Sequence, residues 1–183
     1  LAHPQNRFED FGLEFCVDQY DHVKKELEKV AGKEITSEDI WNAIKVYNES
    51  RAARREFVKL ANEHCDVITA TKRSAVLKAF WFMEKPAYTA MLKELNAELK
   101  ALPVCDWKGT KVVTSGIICD NPKLLAAFEE NNIAIAADDV AHESRSFKTD
   151  VPMDEKCPMM ALAKQFANMD HDVLLYDPKS SEN

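Results

Sequence analysis

Lys111-Val-Val-Thr-Ser115, closed by Gly116, then Pro122 to Asn131, then Ile133-Ala-Ile-Ala-Ala137 form the stretch that decides the fold. The first and last runs are short, apolar and rich in β-branched or small residues. The segment between opens on a proline and carries Leu, Ala and Phe at helical spacing. Strand, helix, strand within so few residues predicts a right-handed parallel βαβ unit. Downstream, a helix over Met159 to Met169 precedes Val173-Leu-Leu-Tyr176, which reads as a third strand. The expected class is therefore α/β: a helical segment followed by a partial, open, parallel, Rossmann-like sheet. Three strands are few for such a sheet, which reads as truncation.

Upstream the period changes to that of helices. Residues 1–10, with Pro4, read as a loop, and a helix follows from Phe11 to Ala31, stopped by Gly32. Thr36-Ser37-Glu38-Asp39 combines an N-cap hydroxyl with first-turn acids, and predicts the start of a long second helix ending near His64. A third helix is expected over Thr69 to Glu84. A fourth is expected from Pro86 to about Leu102, before Pro103. The expected domains are a helical connecting segment, 1–106, and a partial α/β domain, 107–183. No internal repeat is visible.

The composition bounds the function. The 183 residues are 46% hydrophobic and 30% charged, enough for a real core and inconsistent with disorder. The formal net charge is −7, and residues 106–183 hold 8 bases against 14 acids. An acidic chain lacks the basic stripe that releases phosphate counterions, so no nucleic-acid partner is expected. No anionic membrane surface and no membrane span are expected either. Five cysteines at long, irregular intervals argue against a disulfide framework and a self-contained zinc site, and point to a reducing cytoplasm. The opening Leu1-Ala-His-Pro4 has neither an initiator Met nor signal-peptide features, and reads as a piece of a longer protein.

Ligands of open parallel sheets gather beyond the carboxyl ends of the strands. Two expected loops qualify, Ser115-Gly116-Ile-Ile-Cys119-Asp120 and Asp138-Asp139-Val-Ala-His142-Glu143-Ser-Arg145. The site-lining candidates are Ser115, Gly116, Cys119, Asp138, Asp139 and Arg145. The plainer reading has Asp138 and Asp139 capping the next turn with Arg145 paired to them, and Cys119 as a small buried hydrophobe. His22 and His64 read as helix-surface residues, and His171 as a loop residue. Arg51, Arg54, Arg55 and Lys59 either meet an anionic ligand or form a solvated face balanced by Glu49, Glu56 and Glu63. No P-loop, GxGxxG, HExxH or GxSxG motif occurs.

Longer strings go further. Ala43-Ile-Lys-Val-Tyr-Asn-Glu-Ser-Arg-Ala-Ala-Arg-Arg-Glu-Phe57 and Lys59-Leu-Ala-Asn-Glu-His64 open a series. Lys111-Val-Val-Thr-Ser-Gly-Ile-Ile118, Ala134-Ile-Ala-Ala-Asp-Asp139, Glu143-Ser-Arg-Ser-Phe147 and Asp172-Val-Leu-Leu-Tyr-Asp-Pro178 continue it in order. Together they resemble the 2-hydroxyacyl-CoA dehydratases, in the smaller of that family's two subunits, over nearly the whole chain. The resemblance implies removal of water from a 2-hydroxyacyl-CoA to give the 2-enoyl-CoA, in amino-acid fermentation by anaerobes. The implied substrate is (R)-2-hydroxyglutaryl-CoA and the product glutaconyl-CoA. Phenyllactoyl-, lactoyl- and 2-hydroxyisocaproyl-CoA are the alternatives of sister enzymes.

The β-proton of such substrates is not acidic. The resemblance accordingly implies an ATP-dependent iron-sulfur activator protein that injects one electron and forms a ketyl radical. It also implies a dehydratase α subunit as partner and a 4Fe-4S cluster in each complete subunit. The cluster cysteines of the family fall outside the strings matched here. No residue of this chain is thus assigned a catalytic, cofactor-binding or metal-ligating role, and no cluster is expected in this stretch alone. A catalytically inert folding and interaction module is the other reading.

Overall fold

The structure, a computed structural model, describes residues 9–169. The expected third strand, Val173 to Tyr176, and His171 lie outside the described residues, as does most of the expected N-terminal loop. The chain divides into two compact units, one from residues up to Asn48 together with those from Thr149 onward, the other Glu49–Lys148. No helix among the described residues is long and apolar enough to cross a membrane.

In the first unit, α1 (Asp10–Ala31) ends on Gly32, whose φ of 66° is the left-handed cap that glycine adopts without a Cβ clash. Its N–H donates to the Glu28 carbonyl at 2.8 Å. Helix α2 (Ser37–Glu63) starts in the expected capping box. The Thr36 N–H and hydroxyl donate to the Asp39 carboxylate, and the Asp39 N–H donates back to the Thr36 hydroxyl at 3.1 Å. Ile44 packs with Val151 and with Ala161 of α7 (Pro158–Ala167), flanked by Ile40, Trp41 and Leu162. Asn48 fixes the returning segment: its side-chain amide donates to the Val151 carbonyl and accepts from the Val151 N–H.

The second unit is built on the rest of α2. Ser50, Ala53, Arg54, Phe57, Leu60, Ala61 and His64 are all buried, a stripe at three- and four-residue steps. That stripe faces Leu77 of α3 (Ala70–Ala79) and Tyr88, Leu92 and Leu99 of α4 (Lys85–Ala101) in one cluster with Phe80 and Phe147. Asn96 ties α4 to α2 by donating to the Ala53 carbonyl at 3.0 Å and to Glu56 at 3.1 Å.

Three expectations are corrected here. The third helix ends at Ala79 instead of Glu84. Trp81 and Phe82 donate to carbonyls three residues back, and the Lys85 ammonium collects the Phe80 and Met83 carbonyls, closing a tight turn before α4. His64 is buried, because it continues the core stripe of α2 one residue past the helix end, four beyond Leu60. The basic cluster is not a solvated face. Arg54 is 2% exposed, with its guanidinium 3.7 Å from the Phe80 ring centroid and 4.8 Å from that of Phe147, and it donates to the Ser146 hydroxyl. Arg55 donates to the Phe147 carbonyl at 2.7 Å. Of that cluster, Lys59 is the exposed member.

Strand β1 (Thr110–Gly116) and β2 (Ile133–Val140) pair in parallel as expected, from Thr110 opposite Ile133 to Gly116 opposite Val140, with a register shift between Val112 and Val113. Helix α5 (Pro122–Glu130) joins them, capped by Asn121, whose side chain accepts from the Lys123 and Leu124 N–H groups. Both strands run longer than the sequence suggests. Gly116 extends β1 beyond the expected Lys111–Ser115 run, and Asp138 and Asp139 belong to β2 instead of to the loop that follows. A one-turn helix, α6 (Ser144–Phe147), was not anticipated.

Phe57 has no exposed surface. Phe57→Ala is expected to lower stability by about 3–5 kcal/mol through lost burial and the cavity left behind. Lys93→Ala, which breaks the exposed Lys93–Glu49 pair, is expected to cost less than about 1 kcal/mol. Urea unfolding of both variants checks the pair; equal losses would show that the stripe on α2 is not the centre of this unit.

Candidate functional site

The site begins with a charge placed on the buried face of a helix. On α3 the buried positions are Ala70, Arg73, Ser74 and Leu77, so Arg73 occupies a core position. Its guanidinium lies between two carboxylates, Asp138 near the end of β2 and Glu143 in the turn beyond. The Asp138 side chain has no exposed surface and also accepts from the Val140 N–H, the Ser144 N–H at 2.9 Å and the Ser144 hydroxyl at 2.6 Å. Asp139 takes a two-pronged bond from Arg145, at 2.8 and 2.6 Å. Of the plainer reading of these acids the geometry contains a part: Asp138 caps the turn and Arg145 pairs with Asp139, while Asp138 is held by Arg73 instead of Arg145.

One guanidinium shared by two buried carboxylates leaves the group with a single net negative charge. Burial pushes the Glu143 carboxyl up; the Arg73 charge opposes this, and the charge of Asp138 adds to it. Burial likewise pushes the Cys119 thiol up, with the Glu143 charge the next cause. Half-buried Cys119 also packs against Ala70, Leu125 and Ile135.

The carboxyl ends of the strands are brought together by the backbone. Ala141 N–H donates to the Gly116 carbonyl at 3.0 Å and His142 N–H to the Ile117 carbonyl at 3.1 Å. Gly116 has φ 144°, a backbone region that side chains disfavour. Above this end lies a cleft of about 310 Å³. Ser74, Cys119 and Glu143 line it together with Ile118 and Phe82, and the ring centroids of Trp81 and His142 stand 5.3 Å apart. At its edge Lys78 and Asp120 pair at 2.5 Å. A second cleft of about 290 Å³ is lined by Arg55, Val58, Asp138, Asp139, Ser144, Arg145, Phe147 and Lys148.

The six sequence candidates thus separate. Cys119 lines the first cleft; Asp138, Asp139 and Arg145 line the second; Ser115 and Gly116 form the exposed end of β1 and line neither. Sequence reasoning missed Arg73, Ser74, Lys78, Trp81 and Phe82. One signal was available, since Arg73 falls on the apolar step of α3 marked by Ala70 and Leu77.

The cluster implied by the resemblance does not fit the residues described. Among them, no group of three or more His, Cys, Asp or Glu side chains converges on a point where a metal ion could sit. Cys16 and Cys65 are buried, Cys105 and Cys119 half-buried, and Cys157 exposed.

A family model described as 2-hydroxyglutaryl-CoA dehydratase, D-component, matches residues 1–181. The chain is 54% identical, over all 183 residues, to the β subunit of (R)-2-hydroxyglutaryl-CoA dehydratase of Acidaminococcus fermentans. It is 46% identical over 169 residues to lactoyl-CoA dehydratase subunit β of Anaerotignum propionicum. It is 43% identical over 176 residues to the (R)-phenyllactyl-CoA dehydratase β subunit of Clostridium sporogenes. These alignments cover 100%, 92% and 96% of this chain and 48%, 45% and 46% of the relatives, so the chain spans about half the length of the curated relatives it matches.

Two outcomes follow from the shared guanidinium. Arg73→Met leaves two buried carboxylates without their cation and is expected to cost about 3–5 kcal/mol at neutral pH in urea unfolding; a loss below about 1 kcal/mol would remove Arg73 from its place in the fold. Glu143 holds its proton more tightly folded than unfolded. Its contribution is complete below the ordinary carboxyl range and is lost as pH rises through the raised folded value. Glu143→Gln is expected to flatten that part of the profile of urea midpoint against pH, and an unchanged slope would refute the assignment.

Proposed function

This chain belongs to the 2-hydroxyglutaryl-CoA dehydratase D-component family, and from that premise we propose that it is part of the β subunit of an (R)-2-hydroxyglutaryl-CoA dehydratase. The observation that carries the reading is the 54% identity across all 183 residues to such a subunit, above the 46% and 43% to the lactoyl- and phenyllactyl-CoA enzymes. The reaction removes water from (R)-2-hydroxyglutaryl-CoA to give glutaconyl-CoA. One electron from an ATP-dependent iron-sulfur activator forms a ketyl radical on the substrate, which expels the hydroxyl. The complete subunit holds a 4Fe-4S cluster and works with a dehydratase α subunit, in the cytoplasm of an anaerobe that ferments glutamate.

Within that enzyme the described residues supply a frame. Helix α3 packs against α5 of the β1–α5–β2 unit, and Arg73 holds the turn after β2 against α3. Trp81, Phe82 and Ile118 keep the wall of the first cleft apolar beside the Glu143 carboxyl.

The test places these 183 residues in the matching stretch of the Acidaminococcus fermentans β subunit and assays the complex, without oxygen, with α subunit, activator and ATP. Glutaconyl-CoA should form, with kcat/KM for (R)-2-hydroxyglutaryl-CoA at least about tenfold above that for lactoyl-CoA. An assembled complex that favours lactoyl- or phenyllactoyl-CoA would reassign the chain to a sister dehydratase. An assembled complex without turnover would leave the interaction-module reading.

A further inference from the structure

Two cysteines far apart along the chain meet at the end of α2. Cys65 lies two residues past that helix and is buried, its thiol donating weakly to the Asn62 carbonyl at 3.5 Å. The segment leading from α4 into β1 is laid along the same end at two points. The Cys105 N–H donates to the Glu63 carbonyl at 2.9 Å, and the Lys111 ammonium donates to the Asn62 carbonyl and side-chain oxygen at 2.9 and 2.8 Å. The Cys105 thiol is hydrogen-bonded to the Asp66 N–H and to its carboxylate. The Asp66 nitrogen is one peptide bond from Cys65, so the Cys105 sulfur lies within about 6 Å of the Cys65 Cα. That separation is on the scale of a disulfide, whose two Cα atoms stand about 4.4–6.8 Å apart.

Neither cysteine lines the clefts at the strand ends or enters the ion pairs of Arg73. The two thiols differ in access. Cys105 is half-buried and Cys65 is buried, so a reagent from solvent meets Cys105 first. Burial first, then the Asp66 carboxylate and the nearby Cys65, push the Cys105 thiol up. The pair therefore rests as two thiols until such a reagent arrives.

We infer that Cys65 and Cys105 form a reversible thiol–disulfide exchange site, oxidised by small disulfides of the glutathione class. The Cys105 thiol gives its proton to solvent and its sulfur attacks the small disulfide. A mixed disulfide forms, and one glutathione leaves as thiolate and takes up a proton. The Cys65 sulfur, losing its proton likewise, attacks the Cys105 sulfur and releases the second glutathione as thiol. Two protein thiols are oxidised to one disulfide, and one small disulfide is reduced to two thiols. The bond closes a ring from residue 65 to residue 105 that contains all of α3 and α4, and so restrains the unfolded chain of the helices facing the α2 stripe.

The test incubates the folded full-length subunit with glutathione disulfide, blocks remaining thiols with iodoacetamide and maps the unreduced peptides by mass spectrometry. A peptide pair joined through Cys65 and Cys105 is expected, released by dithiothreitol and lost in both single variants. Cys65→Ser is expected to leave glutathione on Cys105, whereas Cys105→Ser leaves Cys65 unmodified. Cys105 is half-buried, so its variant decides the matter should Cys65→Ser unfold. Absence of the joined pair from the folded wild type, its appearance only in urea, or glutathione on Cys65 of the folded Cys105→Ser protein would overturn the inference. The readout does not involve turnover, so the exchange site and the dehydratase reading stand or fall separately.

Discussion

The sharing of Arg73 between Asp138 and Glu143 is the constraint on which the second unit depends. A buried guanidinium has to be matched by charge and by hydrogen-bond acceptors, and the two carboxylates supply both. In doing so they attach the end of β2 and the turn beyond it to α3. A second buried arginine reaches the same turn from α2. Arg54 donates to Ser146, whose hydroxyl donates to the Glu143 carbonyl, and its plane lies over the rings of Phe80 and Phe147. Two helices thus hold one ten-residue return, and Phe147 at its end enters the core they share.

That arrangement explains why the carboxyl ends of the strands present a formed cleft. Asp138 is saturated by Arg73, Val140 and Ser144, so it stabilises the strand end and is not available to a ligand. Glu143, one turn further on, lines the cleft and carries the raised affinity for a proton. The two buried acids differ through their surroundings: Asp138 is saturated by backbone and hydroxyl donors, whereas burial raises Glu143.

The helices and the two parallel strands were legible because they rest on local signals: the Thr36–Asp39 box, Gly32 at a left-handed cap, Pro86 and Pro122 in first turns, and apolar runs of the right length. The end of the third helix was not. It depends on Lys85 reaching back to two carbonyls, a contact that apolar periodicity does not encode. Arg54 and His64 were misplaced for a related reason. Their positions on the α2 stripe put them inside, whereas their side-chain chemistry alone points outward, and packing decided for position.

Sequence by itself determined the class of fold and the family, since helical period, strand runs and long matched strings are written in consecutive residues. Only the tertiary structure decided that Arg73, 65 residues before Asp138, closes the strand end, and that Ser74, Trp81 and His142 share a cleft. Those partners lie far apart along the chain. A buried charge selects its counter-charges by distance in space, and that distance exists only once the core has formed.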